Sequence, residues 1–148
     1  MKKRIMIIAL VLVSITGFSF AADVPSVNNQ VLSSFNREFV NARDVKWESH
    51  KNFVKASFRL NEMTLYAYYL PNGDQLGVTR FISPNQLPIQ LLTSLKKDFS
   101  AYWVSDLFEV SGDSGTSYYI TIENDSQVKV MVSSDSIDWK TYKVTDKE

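Results

Sequence analysis

The chain of 148 residues contains no cysteine. That absence removes disulfide staples, thiol catalysis, Cys-ligated zinc, iron–sulfur clusters and a lipid-modified amino-terminal cysteine at once. Histidine is nearly as scarce: His50 is the only one, which excludes paired-histidine metal sites and imidazole relays. Glycine (5) and proline (4) are few, and they form no phosphate-binding glycine loop and no nucleophile elbow. Beyond Lys2-Lys3-Arg4 no run of three like charges occurs, and the one long apolar run lies in the first twenty residues.

That run has the layout of an export signal: the basic start is followed by apolar residues from Ile5 to Phe20, and Ser19-Phe20-Ala21 places small residues at the minus three and minus one positions. Residues 1–21 are therefore expected to be a cleaved signal peptide. The rival, an uncleaved membrane anchor, asks for about 20 apolar residues and does not call for a cleavage site. Cleavage leaves 127 of 148 residues, expected to form a single domain, 22–148, that buries about two-thirds of its unfolded surface. It also removes three of the 16 basic residues, so 13 basic face 16 acidic and the mature net charge is −3. Clustered lysine and arginine with a positive field are what a nucleic-acid surface needs, and these charges are mixed along the chain, so nucleic acid is not an expected partner. The address is periplasmic or secreted, with no stable membrane span after signal cleavage.

Past the signal, Val27, Val31, Leu32, Phe35 and Phe39 recur at helical spacing, with Ser26 available as an N-cap. From Val45 the period becomes two. Val54, Ala56, Phe58 and Leu60 alternate with Lys55, Ser57 and Arg59, as in a strand with one wet face. Strands are also predicted over 63–70 and 75–82, with Pro71-Asn72-Gly73-Asp74 as the turn between them. The order then repeats. Ser83-Pro84 and Leu87-Pro88 open a second helix carrying Ile89, Leu92, Leu95 and Phe99, followed by strands over 102–110, 117–123, 127–132 and 139–144. A loose match at an offset of about sixty residues suggests two repeats, about 26–82 and 83–144. The expected fold class is α+β: a tandem repeat of helix plus about four antiparallel strands, helices packed on one face of an antiparallel sheet.

Phe35 and Phe39, Val45-Lys46-Trp47, Val54-Lys55-Ala56-Ser57-Phe58, Tyr69-Leu70-Pro71-Asn72-Gly73-Asp74 and Leu87-Pro88 with Phe99 together resemble the PepSY-like, β-lactamase-inhibitor-like family of small exported bacterial proteins. The likeness spans the mature chain, but the second half has Ser134-Asp135-Ser136 where the first has Asn72-Gly73-Asp74. The resemblance implies a sheet backed by helices and a role in binding, because β-lactamase inhibitory proteins engage an enzyme with the open sheet face. It supplies no catalytic residue, and no inhibitor-loop residue carries over one by one, so it does not extend to inhibition of a β-lactamase.

Gly112-Asp113-Ser114-Gly115 matches the tetrapeptide around the serine of trypsin-like proteases, yet that chemistry needs a histidine base held by a buried aspartate. His50 lies beside Lys51 and Asn52 in an expected turn, and Gly, Asp and Ser are what any turn prefers. Asp125, Asp135 and Asp138 lack the alternating spacing and central glycine of a calcium loop. No catalytic residue, cofactor or metal ligand is therefore assigned, and the protein is expected not to be an enzyme.

With Val54, Ala56, Phe58 and Leu60 facing the helices, cross-strand pairing across Asn61-Glu62 puts Leu65, Ala67 and Tyr69 on the same side and leaves Tyr66 and Tyr68 outward with Lys55 and Arg59. Tyrosine and arginine on a firm sheet suit protein recognition. Lys55, Arg59, Tyr66 and Tyr68 are the candidate binding residues, and a protein or peptide of unknown identity is the expected partner. The leading expectation is an exported, non-enzymatic binding or inhibitor-like module using the open sheet face. Alternatives are a self-associating envelope protein and a hydrolase without recognisable motifs.

Overall fold

The structure is a computed structural model that describes residues 27–148. The expected signal peptide, 1–21, and Ser26 lie outside the described residues. Among the described residues two α-helices, α1 (Asn29–Glu38) and α2 (Ile89–Asp98), accompany eight strands: β1 (Arg43–Ser49), β2 (Val54–Leu60), β3 (Met63–Tyr69), β4 (Gln75–Phe81), β5 (Trp103–Gly112), β6 (Gly115–Glu123), β7 (Gln127–Ser133) and β8 (Lys140–Asp146). Among the described residues no helix is long and apolar enough to cross a membrane.

The expected fold class requires correction. The strands make one eight-stranded sheet in the order β1 to β8, so the fold is sheet-dominated and not a tandem of helix-plus-strand repeats. The physical reason lies in the helices. Each has ten residues and fully buries two side chains, Val31 and Phe35 in α1 and Leu91 and Leu95 in α2, too little apolar surface to build a separate layer. The strands supply most of the buried residues, and short connections let consecutive strands pair with their sequence neighbours within β1–β4 and within β5–β8, the longer connection through α2 joining β4 to β5.

The chain divides into two compact units, one holding the described residues to Arg80 together with Gly112–Ser114, the other holding Phe81–Ser111 and Gly115–Glu148. In the first unit, α1 begins at Asn28, whose Oδ1 accepts from the Gln30 amide at 2.8 Å and whose Nδ2 donates to the Pro71 carbonyl at 3.1 Å. Val31 and Phe35, one helical turn apart, pack on Val54, Ala56, Phe58, Leu65, Ala67 and Tyr69. The Phe35 ring meets Phe58 edge-on at 4.9 Å and Trp47 at 5.1 Å. At the helix end, Glu38 accepts hydrogen bonds from the Tyr69 hydroxyl at 3.0 Å and from Gln75. Burial pushes the Tyr69 hydroxyl pKa well up, so the hydroxyl is held as the donor.

The register follows the alternation: Val54 pairs with Tyr69, Ala56 with Ala67 and Phe58 with Leu65. Asn61 and Glu62 both have positive φ, 48° and 64°, the backbone of a tight two-residue hairpin turn. The β3–β4 turn needs its glycine. Gly73 has φ +88°, and a Cβ there would stand 2.9 Å from the Gln30 carbonyl oxygen of α1.

In the second unit Leu91 and Leu95 pack on Leu107, Tyr118, Ile120, Ile122 and Met131. Trp139 pins the β7–β8 connection to α2 by donating Nε1–H to the Leu91 carbonyl at 3.1 Å. Asp135 organises that connection by accepting from the Ile137 and Asp138 amides, at 2.9 and 3.1 Å. These bonds, with smaller contributions from Ser133 and Lys140, hold its carboxyl at a pKa of about 2. Asp135 is thus a loop-building residue.

Candidate protein-binding face

In the first unit α1 covers the face carrying Val54, Ala56 and Phe58, so the alternate positions define the other face. Lys55 stands opposite Tyr68, Ser57 opposite Tyr66, and Arg59 opposite Thr64. β1 adds Glu48 beside Lys55 and Lys46 beside Ser57, while β4 adds Gly77 beside Tyr68 and Thr79 beside Tyr66. Lys55, Arg59, Tyr66 and Tyr68 therefore share one face.

They do not share one exposure. Arg59 is exposed and Tyr66 half-buried, whereas Lys55 is 9 % and Tyr68 only 1 % exposed. The expectation that Tyr68 stands out as an accessible anchor is corrected here: it forms the floor of the face. Phe53, itself buried, brings its ring to 5.9 Å from that of Tyr68, and His50 stacks on Phe53 at 4.3 Å with planes 17° apart. Lys55 is held by Glu48, with Nζ 3.1 Å from Oε1 and 3.4 Å from Oε2, and lies 5.2 Å above the Tyr66 ring. Glu48 is shared, since His50 Nε2 lies 3.8 Å from its Oε2.

The Tyr68 hydroxyl is the one buried side-chain polar atom among the described residues without a hydrogen-bond partner. Burial raises its pKa to about 12; nearby Thr79 tempers that rise without reaching hydrogen-bond geometry, and Glu48 and Tyr66 add to it.

The sequence reading placed His50 in a turn beside Lys51 and Asn52 and gave Phe53 no role. Phe53 was accessible to it. Extending the alternation of β2 back by one residue puts Phe53 on the side of Lys55 and Arg59. The stacking of His50 had no such signal, because it depends on the path of the loop.

In the second unit Tyr118, Ile120 and Ile122 face α2, so Tyr119 faces away. Its ring stacks on Phe108 at 5.2 Å with planes 7° apart, and Phe81, 56 % exposed, meets Phe108 edge-on at 6.2 Å. Burial raises the Tyr119 pKa, and Tyr142 adds to the rise. This aromatic row had no signal in the sequence, because Phe81, Phe108 and Tyr119 lie on three different strands and meet only when β4, β5 and β6 stand side by side.

Neither Ser114 nor His50 is placed as a catalytic group. Ser114 is exposed in the two-residue turn between β5 and β6, and the contacts of His50 are Glu48 and Phe53. Asp125 and Asp138 are exposed loop residues, and no group of three metal-ligating side chains occurs among the described residues.

No protein-family model matches the chain, and no curated protein matches it. Solved structures do. A BLIP-like protein from Bacteroides fragilis is 17 % identical, with TM-score 0.69 over 80 % of this chain and 85 % of its own. A DUF2874 family protein from Bacteroides ovatus is 15 % identical, with TM-score 0.71 over 84 % and 89 %. A protein from Bacteroides eggerthii, described as a candidate periplasmic protein, is 11 % identical, with TM-score 0.69 over 81 % and 88 %. None of the three is described as PepSY-like, so they lend nothing to that half of the resemblance. At these identities the likeness concerns architecture: this chain shares its fold with BLIP-like and DUF2874 family proteins of Bacteroides.

Proposed function

We propose that the chain is an exported, non-enzymatic binding or inhibitor-like module whose mature form, residues 22–148, recognises a protein through the sheet face opposite α1. Tyr66 and Arg59 are its accessible contacts, and Lys55 and Tyr68 are the firm floor beneath them. One observation carries this reading: Lys55, held by Glu48 and laid over the Tyr66 ring, arranges that tyrosine before any partner arrives. A rigid aromatic side chain with a polar tip buries area at low entropic cost, which is what an interface anchor needs. The shared fold of BLIP-like proteins supports the binding role, and the periplasmic description of one neighbour supports export.

Affinity capture from the native envelope, followed by identification of co-purifying proteins, tests the reading. Capture by the parent chain that drops with Tyr66→Ala and Arg59→Ala, both retaining their native melting transition, supports it. Equal capture by parent and variants rejects the face.

A further inference from the structure

At one end of this face two arginines and two carboxylates share a cleft, and both carboxylates lean on the same arginine, Arg59. Arg43 and Arg59 stand opposite each other across β1 and β2, and like charges in that position repel. Arg59 is partly engaged, with Nη2 2.9 Å from Glu62 and Nη1 4.0 Å from Asp44. Arg43 makes no ion pair among the described residues, nor does Lys46 on the same strand. The two arginines line a cleft of about 380 Å³ with Asn41, Asp44, Asn61 and Glu62. Those four other lining residues all have left-handed backbones, with φ of 69°, 54°, 48° and 64°. Asn61 and Glu62 owe it to the β2–β3 hairpin turn and Asn41 to the turn after α1, whereas Asp44 adopts it inside β1, and such conformations gather at ligand clamps. A shift of register between Arg43 and Lys46 adds a β-bulge at the same place, a feature frequent beside functional sites.

Resting on the proposed function, we infer that this cleft is a carboxylate subsite and that the recognised protein presents an acidic loop to it. A glutamate or aspartate side chain bridges Arg43 and the unengaged N–H groups of Arg59, and Lys46 lies farther along β1 on the same face. Arginine suits the task because its planar fork of donors matches a carboxylate. The bridging group relieves the repulsion between the two guanidinium groups. Asp44 and Glu62 oppose it, since both carboxylates stand against Arg59 and repel the incoming charge.

An acetylated, amidated tri-glutamate peptide is the probe, its tri-glutamine counterpart the control, and inorganic phosphate a third arm, each followed through the arginine side-chain N–H signals of the intact mature protein. Saturable shifts at Arg43 and Arg59 with glutamate but not glutamine, and with a dissociation constant on the order of millimolar, are expected. Arg43→Gln should weaken binding about threefold, and Asp44→Asn, which keeps a residue suited to the left-handed backbone, should strengthen it about twofold. The opposite sign for Asp44→Asn, or an Arg43→Gln variant that binds as well as the parent, overturns the proposal. Phosphate binding as strong as the peptide's at the same two arginines assigns the cleft to a free anion and overturns the acidic loop. If the peptide fails while capture still depends on Tyr66, the subsite alone is lost and the binding face stands.

Discussion

Tyr68 separates position from role. It lies on the face opposite α1 yet is buried, and its hydroxyl has no partner, so the side chain contributes packing more than polarity. Removing an unsatisfied buried hydroxyl while keeping the ring is neutral or stabilising. Tyr68→Phe should therefore leave the denaturant midpoint unchanged, or raise stability by up to about 1 kcal/mol near neutral pH. A loss larger than that would show that Thr79 satisfies the hydroxyl. The pKa near 12 gives a second readout. A tyrosine whose folded pKa lies above its unfolded value of about 10 contributes stability in full below pH 10, and this is lost as pH rises from 10 through 12. The parent should accordingly lose on the order of 2 kcal/mol from this residue at high pH, and Tyr68→Phe should flatten that part of the profile. Tyr69 and Tyr119, also raised by burial, keep some alkaline sensitivity in the variant.

At the scale of elements, the β2–β3 hairpin is where sequence and structure agree best. Two seven-residue strands alternate in polarity across a two-residue turn, and a slip of one residue would expose Ala56 and Phe58, so burial selects the register. Phe58→Ala should cost about 3–5 kcal/mol in thermal or denaturant unfolding, because the Phe35, Phe39 and Phe58 rings close around one another. Other elements were less legible. Ser26 and Asn28 both suit an N-cap, and what favours Asn28 is its bond to the Pro71 carbonyl 43 residues away, which no local pattern contains. The bulge between Arg43 and Lys46 leaves no compositional mark, so the placing of Arg43 opposite Arg59 was invisible. The contact of Phe53 with Tyr68 depends likewise on how the loop after β1 returns. Gly73 was legible as a turn residue but not as a contact. Its Cβ would meet the α1 backbone, so Gly73→Ala should destabilise by about 2 kcal/mol, against about 1 kcal/mol for Gly115→Ala, where φ is +105° but the space is open.

At the scale of the whole chain, the sheet ends in β1 and β8, and both strands carry the devices that discourage pairing with another sheet. β1 has a bulge with Arg43 and Lys46, and β8 has a register shift opposite Val130 and Met131 with Lys140 and Lys143. The mature protein should therefore run as a monomer in size-exclusion chromatography with light scattering, and a dimer whose formation depends on β8 would revive self-association. The central claim concerns a face rather than an edge, and the most direct measurement is a binding titration of the captured partner against the parent chain, Tyr66→Ala and Asn36→Ala, the last on the exposed side of α1. The account predicts that Tyr66→Ala raises the dissociation constant about fivefold or more while Asn36→Ala leaves it unchanged. Binding that survives Tyr66→Ala and falls with Asn36→Ala would contradict it and place the interface on the helix.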